Sequence, residues 1–124
     1  MNDIARHVTL LFLAVSAADR KILEEEVFLM EKCARDYNIG EDEWELALNE
    51  SFIKYFNNGE KAVLESILFL SNVLDRDHKK ELAEDLLAIA LVDDVFHPNE
   101  KRVIKKVCKG FGVNLKIPME FLSV

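Results

Sequence analysis

One pattern occurs twice in this chain, 74 positions apart, and it constrains the fold more than any other feature of the sequence. Asp19-Arg20-Lys21-Ile22-Leu23-Glu24-Glu25-Glu26 and Asp93-Asp94-Val95-Phe96-His97-Pro98-Asn99-Glu100 share one frame: an Asp, an apolar residue three positions on, and a Glu seven on. The match extends beyond the loops. Upstream, Val8, Phe12, Val15 and Asp19 answer Leu82, Leu86, Ile89 and Asp93. Downstream, Glu26, Leu29, Met30, Cys33 and Tyr37 answer Glu100, Val103, Ile104, Val107 and Phe111. Steps of three and four place each set on one face of a helix. The chain therefore reads as two copies of a helix–loop–helix unit, in which an Asp ends one helix and a Glu opens the next.

The remaining helices follow from local signals. Helix one spans about Asp3 to Ala18, and Leu10 to Leu13 make it apolar on most sides, so it belongs at the centre. Helix two covers about Glu24 to Tyr37, with three Glu in its first turn, where the helix dipole favours them. It stops at Asn38, whose counterpart is Gly112. These two residue types most readily take the left-handed conformation after a helix. A short acidic helix from about Glu41 to Ser51 carries Trp44, read as a lid on the core, and Asn57-Asn58-Gly59 marks a break. Helices from Gly59 to Leu74, His78 to Val92 and Pro98 to Phe111 follow, and Pro118 opens a last short turn. No stretch alternates as a strand does, so the expected fold is an all-α bundle.

Composition narrows the class of protein. The 124 residues suit a single domain, 1–124, and a chain that is 50% hydrophobic with only four Gly and two Pro is ordered and globular. A net charge of −7 argues against nucleic acid as a partner. The charge is uneven, because residues 99–124 hold six Lys or Arg against two Glu. Cys33 and Cys108 sit in apolar stripes without a CxxC spacing, as reduced thiols of a cytoplasmic protein do. The apolar run Val8 to Ala18 resembles the core of a signal peptide. It is shorter than the roughly 20 residues that cross a bilayer. The repeat also requires it as a helix, so it is read as one.

The two loops resemble a known family. Ala18-Asp19-x-x-Ile22 with Glu26, and Asp93-x-x-Phe96-x-Pro98-x-Glu100, are similar to the paired acidic signature of the TerB-like family. That family includes the tellurite-resistance TerB proteins and the N-terminal domain of a DnaJ-like membrane co-chaperone. The resemblance covers about residues 5 to 113. It implies a single compact bundle of about seven helices, built from two pseudo-symmetric helix–loop–helix halves. It also implies a role in tellurite, phage or other stress resistance, metal binding through acidic residues, and no established reaction. The family usually has Gly after the loop Asp, where this chain has Arg20 and Asp94.

Two readings of the signature stand. In one, each Asp accepts N–H groups of its own loop, and each Glu closes a cap on Leu23 or His97, with Ile22 and Phe96 as hydrophobic staples. In the other, Asp19, Glu26, Asp93 and Glu100 converge on a hard divalent cation, Ca²⁺ or Mg²⁺. The spacing of an EF-hand is absent. His7, His78 and His97 are scattered without a zinc motif, and no phosphate-cradling loop or nucleophile–base pair suggests catalysis, so a non-enzymatic protein is expected. Lys101, Arg102, Lys105, Lys106 and Lys109 fall on consecutive turns of one helix face, and the first copy has no such stripe. It would dock an acidic protein partner or, as the alternative, an anionic membrane surface. The sequence sets no oligomeric state.

Overall fold

A helix that is apolar on every side must be enclosed on every side, and helix α1 (Asp3–Ser16) is. Every residue from Val8 to Ser16 is buried. The computed structural model describes residues 3–18, 22–92 and 96–117. Four further helices surround α1: α2 (Glu24–Asp36), α3 (Glu41–Val73), α4 (Arg76–Ala90) and α5 (Pro98–Phe111). Each of the four touches α1, and no strand occurs among the described residues. The all-α expectation holds. The core gathers Val8, Phe12 and Val15 of α1 with Met30 and Cys33 of α2. Leu82, Leu86 and Ile89 of α4 and Ile104, Val107 and Phe111 of α5 complete it. These are the stripes that the repeat picks out.

The helix ends follow local chemistry. Asn38, after α2, has φ 59°, and Gly112, after α5, has φ 68°. Both leave the helix through the left-handed region, as their pairing in the repeat leads one to expect. After α2, Asn38 N–H bonds the Arg35 carbonyl at 3.0 Å and Ile39 N–H the Ala34 carbonyl at 3.2 Å. This is a Schellman closure, and it buries Ile39. After α5, Val113 N–H bonds the Cys108 carbonyl at 3.1 Å, the equivalent reach. Asp75 caps α4 by accepting from His78 N–H at 2.8 Å, so α4 opens at Arg76 rather than His78. Trp44 is 3% exposed and belongs to the core.

The break expected at Asn57-Asn58-Gly59 is present as a kink: α3 spans 33 residues, but its backbone leaves helical geometry inside that triplet. Only Asn58 leaves helical geometry, at φ −150° and ψ 54°, and the helix kinks there. The described residues therefore hold five helices where about seven were expected, and the turn expected at Pro118 lies outside them. α3 and α5 approach closely at Gly110. A Cβ there would strike Cγ2 of Ile67, and Ser71 Oγ–H donates to the Gly110 carbonyl at 3.1 Å.

This approach predicts the sign of a substitution. Gly110→Ala would normally stabilise a helix by about 1 kcal/mol. Here Cγ2 hangs on the branched carbon of a buried Ile67 and cannot swing aside alone, so overpacking outweighs that gain. Gly110→Ala should lower stability by about 1–2 kcal/mol in urea unfolding. In an Ile67→Ala background the same change should cost nothing. An equal cost in both backgrounds would contradict the contact.

Candidate functional site

The signature glutamates occupy equivalent places. Glu26 and Glu100 are each the third residue of their helix, and each is 2% exposed. Glu26 Oε1 accepts the Leu23 backbone N–H at 3.2 Å, and Glu100 Oε1 accepts the His97 backbone N–H at 3.0 Å. Leu23 has no side-chain acceptor to return the bond, so its loop forms half of a capping box. Ser16 Oγ–H donates to Glu26 Oε2 at 2.5 Å, tying the end of α1 to the start of α2. The staples differ between the copies. Phe96 is fully buried, and the residue above it is Lys101, whose Nζ stands 5.5 Å from the ring centroid. Ile22 is 37% exposed. Asp19 and Asp93 lie outside the described residues.

A different trio of carboxylates does meet. Asp36 at the end of α2 and Glu81 and Asp85 on α4 bring oxygens within 4.8 Å of one another. Among the described residues no other His, Cys, Asp or Glu set of three is that close, and Glu26 and Glu100 are not in it. Asp36 and Glu81 are exposed, whereas Asp85 is half-buried and its Oδ2 has no hydrogen-bond partner. Burial pushes the Asp85 carboxyl up to about 6, helped by the negative charges of Glu81, Asp36 and Glu84. Across the gap, burial followed by the Asp85 charge pushes the Cys33 thiol up to about 12 and raises the Tyr37 phenol as well. Burial thus disfavours the Cys33 thiolate, the form in which a cysteine is nucleophilic. The motif reading missed this trio. Its signal was present all the same, because Asp85 stands where the first copy has the fully buried Leu11.

The basic stripe forms on α5 as the spacing requires. Arg102, Lys105 and Lys109 are exposed and make no ion pair among the described residues. Lys106 reaches across to Glu60 of α3, Nζ to Oε1 at 3.1 Å. Beside this face lies a cleft of about 640 Å³. It is lined by Ala17, Ala18 and Ile22, by Tyr55, Phe56 and Val63 of α3, and by Asn99, Arg102, Val103 and Lys106 on the α5 side. The chain pattern could not disclose it, since a cleft is a gap between elements.

A second, smaller cavity of about 280 Å³ holds His7, whose Nδ1 is 2.9 Å from Ser66 Oγ. The ring also stacks on Phe69, at 4.3 Å between centroids. This His–Ser contact was not expected from the sequence. Ser66, on α3, lines the same cavity and is 1% exposed. Burial, and then the Lys54 charge, lower the basicity of His7, which is neutral at pH 7.

The fold and loops define a class: all-α proteins in which two helix–loop–helix segments each open the second helix on a buried glutamate. The chain matches the family model of the tellurite resistance protein TerB over residues 5–116, and it belongs to that family. No curated protein and no solved structure matches it. No helix among the described residues is long and apolar enough to cross a membrane.

The acidic trio yields a pH prediction with a definite sign. Folding raises the Asp85 pKa above its ordinary 3.8, so the native state holds that proton more tightly than the unfolded chain. The resulting stability is present below about pH 4, fades as pH climbs to about 6, and stays absent above. Asp85→Asn, permanently uncharged, should therefore exceed wild type by about 1–2 kcal/mol at pH 7.5, a figure reduced for partial exposure. The difference should vanish near pH 4. His7 titrates in both proteins and cancels. Urea unfolding across pH checks this; a less stable Asp85→Asn at pH 7.5 would mean that the carboxylate is needed as an anion.

Proposed function

We propose that this TerB-family chain is a non-enzymatic interaction module of a tellurite or related stress response, and that it docks an acidic protein through the basic face of α5. The exposed row Arg102, Lys105 and Lys109 carries this reading, since it leaves three cations unpaired among the described residues on a chain of net charge −7. Uncompensated charges on consecutive turns steer and orient an oppositely charged partner more than they stabilise the monomer. Family membership supports the stress-response setting.

Within this reading, Glu26 and Glu100 act as helix caps and not as ligands of Ca²⁺ or Mg²⁺. Their Oε1 atoms already hold backbone N–H groups, and Glu26 Oε2 holds Ser16. Lys101 is assigned to packing on Phe96, and Lys106 is tied to Glu60, so the docking charge rests on the other three. An anionic membrane, the alternative for the stripe, would be bound by the same cations.

Charge reversal separates docking from folding. Lys105→Glu with Lys109→Glu alters exposed side chains only, so circular dichroism should be unchanged. Tagged wild-type and variant protein, recovered from cells exposed to tellurite, should differ by the loss of the co-purifying partner. Equal recovery would contradict the docking face.

A further inference from the structure

The cleft between α3 and α5 adjoins the basic face but is not accounted for by it. It lies next to the kink at Asn58, and its lining includes the small residues Ala17, Ala18 and Gly59. At about 640 Å³ it falls within the range of roughly 300–1,000 Å³ typical of binding pockets. Its wall is apolar where a lone domain gains nothing from that. Phe56 leaves 74% of its surface in water, stacked on Phe52 at 5.9 Å and edge-on to Tyr55 at 6.3 Å. Water-exposed aromatic surface beside charged residues is the composition of a recognition site.

Resting on the docking reading above, we propose that this cleft receives an acidic segment of the partner protein, which inserts one or two large apolar side chains against Phe56 and Tyr55. A carboxylate of that segment pairs with Arg102. Charge complementarity decides the occupant. Among the described lining residues the one carboxylate is Glu60, and Lys106 holds it, which leaves the Arg102 cation unpaired. The Arg102 guanidinium offers the planar fork that matches a carboxylate with two hydrogen bonds. Shape favours a protein segment: Tyr55, Phe56 and Arg102 line one cleft, so a peptide can set an apolar side chain and a neighbouring carboxylate against them together.

The test selects random 12-residue peptides on the immobilised domain and measures the best binders by fluorescence polarisation. The selected sequences should combine several Asp or Glu with Leu, Ile or Phe. Phe56→Ala and Arg102→Glu should each weaken binding at least tenfold. Amide shifts on binding should centre on Tyr55, Phe56, Gly59 and Arg102. Phe56 is largely in water, so its removal leaves the fold intact, which a thermal melt verifies. The proposal is overturned by a library that yields no acidic binder, or by peptides indifferent to Phe56→Ala. It is overturned equally by flotation on phosphatidylglycerol vesicles that survives Phe56→Ala while no peptide competes. If Lys105→Glu with Lys109→Glu loses the cellular partner but Phe56→Ala keeps it, the docking face stands and the cleft proposal falls. If both variants keep it, both fall.

Discussion

Everything in this protein depends on enclosing α1. A 14-residue helix buried without interruption from Val8 to Ser16 can face neither water nor a single partner, so the other helices must close around it. That requirement explains why α3 is so long. A 33-residue helix passes along α1 from Trp44 to Leu70, bending at Asn58, and contributes Val63, Ile67 and Leu70 to the core on the way. α2, α4 and α5 cover the remaining sides. A helix closed in this way leaves few places for a ligand. What the fold offers to partners lies at its periphery, in the clefts that the covering helices leave and in the charges they turn outward.

The two copies of the repeat share a folding device and differ in what they present. Glu26 and Glu100 hold the same backbone position at the start of α2 and α5. Asn38 and Gly112 release the chain through the same conformation at the other end. Around these fixed points the copies diverge. The second copy has Asp85 where the first has the buried Leu11, and five basic residues on α5 where the first has Val27, Phe28, Glu31, Lys32 and Arg35. Polar residues substituted at places a core would fill with carbon cost stability. The second copy supplies Glu81 and Asp85 of the carboxyl trio and the exposed cations of α5, while Asp36 comes from the first.

Much of this was legible in the sequence, for physical reasons. Caps and helix stops depend on a few neighbouring residues, so Glu26, Glu100, Asn38, Pro98 and Gly112 disclose themselves locally. Stripes at helical spacing likewise disclosed the core. Asn57-Asn58-Gly59 marked the kink of α3 through local propensity, and packing against α1 continues the helix on both sides of it. The trio of Asp36, Glu81 and Asp85 joins two helices far apart in the chain, and only the Asp85-for-Leu11 exchange hinted at it. The cleft, bounded by α3, α5 and the first loop, has no local signature at all.

The proposed function rests on the signature glutamates being caps, with the basic face of α5 proposed for recognition. Thermal unfolding of wild type, Glu26→Gln and Glu100→Gln, each in EDTA and in millimolar Ca²⁺ or Mg²⁺, tests that most directly. Caps predict a loss of about 0.5–2 kcal/mol for each variant, the same in EDTA as with cation, and a wild-type melting temperature that no divalent cation moves. Ligands predict otherwise: cation at 100 times its dissociation constant would stabilise wild type by about 2.7 kcal/mol. A wild-type rise of several degrees with cation, abolished in both variants, would contradict the capping role.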